Sequence, residues 1–328
     1  MSKTCLIIGS KGDVHVPALE AAMSARGVQV DVIDIEDQPS LAITVRHSRM
    51  TAHINGRDVR EYGAILNRIK WRIDPCLTDD DKFASFFFNV EWIYALRGLM
   101  MTAISLGVPV LNGPLEYYRG SNKIFQLSIA DACGFEVPDT FIGTEVHVLR
   151  GFRTRWPKAI AKVFDASFIP ATADRENQHI PTSEMSGADF VHYEAEIMSN
   201  PPMIIQNNIE KAFEARVIAS KHMNVCYLLH SQEHEYSVTD WRNHEVGVRT
   251  TIGELPREIH KAIGRFLDKT ELHYGIFDFA IAPDGRWIFF ECNPDGQWWV
   301  PRKRVGGNPE HVYADAVVRL LAADVAIA

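Results

Sequence analysis

Near the C-terminal end of the chain lies FDFAIAPDGRWIFFECNPDGQWW, residues 277–299, an otherwise apolar run that carries Asp278, Glu291 and Asn293. Its Pro283-Asp284-Gly285-Arg286 stretch is a turn signal, so the run predicts a two-stranded hairpin. With a four-residue loop at 283–286, Ala282 faces Trp287 and, by the same count, Asp278 faces Glu291. Alternation then puts Asp278, Ala280, Ala282, Trp287, Phe289, Glu291 and Asn293 on one face, and Phe277, Phe279, Ile281, Ile288, Phe290 and Cys292 on the other. Two facing carboxylates repel. A hard cation would relieve that repulsion, and magnesium commonly takes one or two carboxylates together with substrate phosphates. Ion pairs with an Arg or Lys from elsewhere would relieve it equally.

A magnesium–phosphate site needs further cations. No GxxxxGK[ST] stretch exists, and GSKGD after the first expected strand lacks GxGxxG, so it reads as an ordinary βα turn rather than a ligand loop. Lys162, inside the apolar KAIAKVF, is a charge that a half-buried strand tolerates only with a partner or at a solvated edge. Lys123 falls in the first turn of an expected helix, where the dipole disfavours cations but an anion would gain from both the lysine and the free amides. Arg216 and Arg242 carry no signal of their own beyond charge.

These residues are to be positioned by alternating elements. Residues 4–34 read strand, turn, helix, strand, with Gly27 as helix stop, and YGAILNRIKWR and GVPVLNGP add further strands. DDDKFASFFFNVEWIYALRGLMMTAISL (79–106) predicts a long helix with acids in its first turn and apolar residues all round, hence buried or at an interface. SNKIFQLSIADACG (121–134) predicts a helix with Ser121 as N-cap and Gly134 as stop. PDTFIGT and KAIAKVF read as strands, 165–200 as hairpin and loop, then MIIQNNI, ARVIASKH and VCYLLHSQ as strands. Helices at 256–271 and 310–324 flank the hairpin.

The 328 residues, 46% hydrophobic and 23% charged, suit a globular protein of two or three domains. A net charge of −8 argues against a nucleic-acid partner. Five widely spaced cysteines without a CxxC pair suggest a reducing compartment, and the short apolar N-terminal run does not read as a secretory signal. No membrane span is expected, because Glu91 and Arg97 interrupt the most apolar segment. The cytoplasm is the expected location, and the 83–104 helix is compatible with a homodimer.

Seven segments in order, SNKxxQ (121–126), AIAKVF (159–164), IIQNNI (204–209), EAR (214–216), DWR (240–242), FDF (277–279) and ECN (291–293), resemble ATP-grasp ligases. DWR, the Ser231-Gln232 pair, PDGRWIFFECNPDGQW and the N-terminal GDVHVPALEAAMSARG and NRIKWR resemble the microviridin-type peptide ligases, the graspetide synthetases. The resemblance implies an α/β, ATP-grasp fold: an N-terminal open α/β (pre-ATP-grasp) domain at 1–112, a central lid at 113–200 and an antiparallel-sheet domain with the metal site at 201–328.

It also implies ATP and Mg2+ as cofactors. Lys123 and Lys162 resemble the lysines on the nucleotide phosphates, Gln206, Asn207, Asn208 and Ile209 the linker along adenine, and Glu214 the ribose contact. Arg216 and Arg242 resemble residues that neutralise the transferred phosphate, and Asp278, Glu291 and Asn293 the magnesium ligands. Asn207 departs from the Glu common in the family, which bears on base selectivity. NRIKWR departs from a Tyr-Arg-Arg-like stretch, leaving a substrate role for Arg68 or Arg72 open. The implied substrate is a ribosomal precursor peptide (leader plus acidic core) whose Asp or Glu side chains are activated as acyl-phosphates and closed into ester or amide rings. Arg302, Lys303 and Arg304 are placed either to receive that peptide or as a solvated basic turn. The alternatives are a ligase adding a free amino acid, similar to ribosomal-protein glutamate ligases, a non-catalytic nucleotide-binding regulator, or a kinase.

Overall fold

The computed structural model describes residues 3–10, 12–34, 37–47, 49–69, 82–164, 168–169, 178–179, 182–197, 201–239, 241 and 247–323, excluding the side chains of 82–86, 168–169, 178–179, 236 and 323. The N-terminal run TCLIIG forms a fully buried central strand, Thr4–Gly9, flanked in parallel by Gln29–Asp34 and Ala64–Asn67, with Val110–Leu111 at the edge. Continuous apolar runs suit strands covered on both faces. Cys5 and Ile7 pack with Leu19 and Met23 of the helix Val16–Ser24, while Leu6 and Ile8 pack with Ile93, Leu96 and Leu99 of the long helix Lys82–Ser105. The outer side of that helix exposes Phe87, Tyr94 and Met101. A hairpin, Leu41–Arg46 with Arg49–Ile54, projects between the second and third parallel strands.

A four-stranded antiparallel sheet follows, in the order Ser183–Ser186, Lys158–Lys162, Met203–Asn207, Thr140–Gly143. Helices Val146–Arg155 and Gly187–Glu196 cover its Ala159–Ala161–Ile205 face, leaving the Ile160–Lys162 face for the site. The segment expected to be hairpin and loop at 165–200 thus contains a helix. Its N-cap is Ser186, in a capping box with Asp189, a signal hidden in a polar stretch.

The third sheet has five antiparallel strands: Thr250–Gly253, Asn224–Leu229, Phe213–Ser220, Tyr274–Ile281 and Trp287–Asn293. The helix Arg257–Thr270 covers one face over an aromatic cluster of Phe135, Phe266, Phe277, Phe279 and Phe289. The opposite face carries Glu214, Arg216, Asp278 and Glu291, and its far end is closed by the helix Glu310–Ala323.

The hairpin corrects the four-residue turn. The loop is five residues, 282–286, closed by Ala282 N–H donating to the Arg286 carbonyl at 2.9 Å, with Gly285 at φ +88°. Ile281 therefore pairs with Trp287, and a bulge beside Phe279 restores the other register, so Asp278 still pairs with Glu291. Two slips of one residue cancel at the carboxylates. Between loop and bulge the faces are exchanged: Trp287 and Phe289 enter the aromatic core, while Ile288 and Phe290 join Ala280 and Ala282 on the site face.

Candidate active site

Arg216, Asp278 and Glu291 lie side by side on three adjacent strands, as consecutive register partners. One Arg216 Nη meets both Asp278 oxygens at 2.8 Å, and its Nε donates to the Gln297 carbonyl at 2.8 Å. The guanidinium also lies 5.7 Å from the ring of Trp241. Lys123 completes the row, its Nζ 3.4 Å from Glu291 and donating to the Val163 carbonyl at 3.3 Å. The charges run plus, minus, minus, plus. Of the two remedies for facing carboxylates, the ion pairs are the one seen here: each carboxylate has a basic neighbour, and the pair stays together.

Lys123 opens the helix Lys123–Ala130, but the cap is Asn122 and not Ser121: Asn122 Oδ1 accepts the Phe125 N–H at 3.0 Å, while Ser121 ends the preceding helix Pro114–Ser121. The short Asn side chain at an extended residue reaches the third helical amide, which Ser121, itself helical, cannot do.

Lys162 stands on the open face of the second sheet, its Nζ 4.7 Å from the ring centre of Phe290. The sequence alone gave no sign of Phe290, because only the bulge turns it to this side. Lys211 was also missed: it is mostly buried, its Nζ lies 2.6 Å from Glu214 Oε1, and it faces the same ring at 5.9 Å. The three-residue spacing to Glu214 was its only sequence signal.

Gln206 is buried and donates to Thr140 Oγ1 at 3.0 Å. Asn207, Asn208 and Ile209 run on as the link from the second sheet to the third, lining a cavity of about 490 Å³ with Val137 and Ile288. Asn207 Oδ1 is buried there without a hydrogen-bond partner. Ile209 and Phe290 pack against Ala280, Ala282 and Ile288. Arg242 and Arg72 lie outside the described residues. Arg302 and Arg304 are engaged within the protein: Arg302 pairs with Glu310 through two 2.8 Å contacts, and Arg304 donates to the Val248 carbonyl at 2.7 Å.

Among the described residues no three His, Cys, Asp or Glu side chains converge on a metal position. A cation here would draw on Asp278, Glu291 and the Asn293 amide, hard oxygen donors that fit magnesium. Cys292, between Glu291 and Asn293 in sequence, points into the opposite core. Burial, and then the Asp278 and Glu291 charges, push its thiol well above the usual range, so it stays protonated. The site thus offers cations and oxygen donors and no thiolate nucleophile.

Arg68 is fully buried, and Asp13 and Asp295 take its guanidinium from two sides. No substrate group reaches it there.

No protein-family description and no curated protein matches the chain. Solved structures do. A Chryseobacterium gregarium RiPP-associated ATP-grasp ligase, in complex with ADP and a leader and core peptide, superimposes with a TM-score of 0.81 at 20% identity, covering 99% of this chain and 97% of that one. The macrocyclase MdnC of Microcystis aeruginosa MRC, bound with precursor peptide MdnA, gives 0.79 at 19% identity, covering 96% and 99%. The ATP-grasp ligase PsnB, complexed with a phosphomimetic variant of its minimal precursor, Mg and ADP, gives 0.77 at 17% identity, covering 98% and 99%. The chain has the ATP-grasp fold over nearly its whole length, as its sequence segments implied.

Proposed function

We propose that the protein is an ATP-dependent ligase that joins carboxylate side chains of a ribosomal precursor peptide to amine or hydroxyl side chains of the same peptide. The row Lys123–Glu291–Asp278–Arg216 carries this reading, because it sets oxygen donors and cations together on one face, below Lys162. In the reaction, a substrate carboxylate oxygen bonds to the γ-phosphorus of ATP as the bond to ADP breaks. The amine or hydroxyl then bonds to the acyl carbon, inorganic phosphate leaves, and a proton is released. Such transfers ask the protein mainly to position groups and neutralise charge.

Lys123 and Lys162 would hold phosphate oxygens, and Arg216 the transferred phosphate, with Arg242 in the same proposed role. Gln206 to Ile209 would line the base and Glu214, steadied by Lys211, the ribose. Asp278, Glu291 and Asn293 would hold magnesium, which when bound neutralises phosphate charge. The ADP and peptides named for the similar structures support nucleotide and peptide substrates for this chain. The described cysteines Cys5, Cys133, Cys226 and Cys292 are free, which supports the cytoplasm, and no helix among the described residues is long and apolar enough to cross a membrane. The exposed Phe87, Tyr94 and Met101 support a homodimer, which sedimentation would test.

The deciding experiment combines protein, ATP, Mg2+ and the peptide encoded beside its gene, followed by mass spectrometry. The expected product is lighter by one water per ring, with one ADP released for each. A product heavier by an amino-acid residue would transfer the chain to the amino-acid-adding ligases, and an unchanged cognate peptide would sink the macrocyclase reading.

A further inference from the structure

The segment Glu291–Trp298 carries two of the proposed magnesium ligands and is gripped by five side chains from separate parts of the chain: Gln126, Asn112, Arg68, Arg216 and His15. Gln126 clasps the backbone of Cys292, donating to its carbonyl at 2.7 Å and accepting its N–H at 2.7 Å. Asn112 donates to the Pro294 carbonyl at 3.0 Å while its Oδ1 accepts the His273 N–H at 3.0 Å. Arg68 takes the Asp295 carboxylate, Arg216 the Gln297 carbonyl, and His15 Nε2 accepts the Trp298 N–H at 3.3 Å.

Arg68 anchors this grip. It emerges at the end of the strand Ala64–Asn67 and is 0% exposed. Its Nε and Nη2 donate to Asp13 Oδ2 at 3.0 and 2.6 Å, and its other Nη1 donates to Asp295. His15 Nδ1 lies 2.5 Å from Asp13 Oδ1, so the far end of the triad is fixed as well. A fully buried guanidinium has no solvent to turn to, and loss of either carboxylate would leave some of its N–H donors buried without an acceptor. The Asp295 side chain is therefore held in place. Its backbone N–H in turn donates to Asn293 Oδ1 at 3.0 Å, orienting the amide proposed above as a magnesium ligand. Two residues later, the Gln297 carbonyl holds Arg216 beside Asp278.

We propose that Arg68, acting through Asp295, is a positioning residue that sets the Asn293 amide and Arg216 before nucleotide arrives. The proposal rests on the nucleotide–magnesium reading of this site. This gives the fully buried Arg68 charge a role at a depth that no substrate reaches.

The test uses Asp295→Asn, which keeps the shape and removes the charge, and Arg68→Lys, which keeps the charge and removes the fork. Leu99→Ala, in the distant core beneath the long helix, serves as a control for lost stability. ADP binding is titrated against Mg2+ by calorimetry, with thermal midpoints measured in parallel. Both site variants are expected to raise the half-saturating Mg2+ about tenfold, the scale of outer-shell losses at metal sites. ADP binding in EDTA should stay unchanged, and Leu99→Ala should lower the thermal midpoint without moving the Mg2+ curve. If the site variants lose thermal stability while keeping the wild-type Mg2+ curve, Arg68 is structural and the proposal is overturned. Should neither variant fold, hydrogen exchange of the ligand-free wild type decides. Amides of Cys292, Asp295 and Trp298 are expected to be protected already, and free exchange until Mg2+ and ADP are added would overturn preorganisation. A wild type that binds no ADP with Mg2+ removes the nucleotide reading itself and the proposal with it, a failure visible before any variant is compared.

Discussion

Arg216 meets both carboxylate oxygens of Asp278 with a single nitrogen, across directly opposed positions of neighbouring strands. Because Nε is used on the Gln297 carbonyl, the guanidinium ties the Asp278 strand to the segment that follows the strand Trp287–Asn293. A lysine cannot make both contacts. Arg216→Lys is expected to lower turnover on the order of 10²–10³-fold, the scale for one preorganised donor, with little change in ADP affinity. Steady-state ADP release measures it, and a near wild-type rate would exclude Arg216 from the reacting end.

Lys162 and Phe290 should differ in the way they fail. Lys162→Met removes a charge from the proposed phosphate position, so KM for ATP should rise strongly. Phe290→Leu removes only the ring under that ammonium, worth about 0.5–1 kcal/mol, and should raise KM a few-fold. Equal effects of the two substitutions would contradict the assignment of Lys162 to phosphate.

Gln126→Leu is nearly isosteric and leaves the Cys292 N–H and carbonyl buried without their partner. Each orphaned group costs about 1–3 kcal/mol, so the urea midpoint should drop clearly with an unchanged slope. A midpoint within error of wild type would mean that the clasp is replaced by water.

The acid side of the stability curve should carry the mark of His273. Burial lowers its pKa below the ordinary 6.5, Glu116 opposing and Lys221 assisting. The unfolded chain therefore takes up the proton first as pH falls. This contribution is complete above about pH 6.5 and is lost progressively toward the folded-state value. Urea unfolding at about pH 7.5 and about pH 5.5 should show wild type losing stability, and His273→Gln losing less. An identical loss in both would assign the acid sensitivity elsewhere.

Much of this site was legible from residue order, for physical reasons that differ by residue. Asp278 and Glu291 were paired by antiparallel counting, although the loop was one residue longer than assumed, because the bulge restored the count. Lys162 stood out as a charge in an apolar strand. Phe290 could not be read, since a bulge leaves no mark in alternation, and Trp287 and Phe289 changed faces with it. Ser121 and Asn122 are both capping residue types, and only backbone conformation makes Asn122 the cap. The helix Gly187–Glu196 was hidden by a polar surface face. Arg68 was visible as a residue, but its burial depends on Asp295, which lies 227 positions away.

The first apolar core described above is not made from one stretch of chain. Leu19, Met23 and Ile7 share it with Tyr274, Trp298 and Tyr313, and the helix Val16–Ser24 lies against the last helix, Glu310–Ala323. During synthesis the N-terminal strands and helices leave the ribosome with one side of their core uncovered and with Arg68 lacking Asp295. They can acquire local structure then, but not their final stability, until the closing helix emerges. Maturation of the N-terminal part is thereby tied to completion of the face that carries Arg216 and Asp278, so a chain arrested before Glu310 presents an open apolar surface.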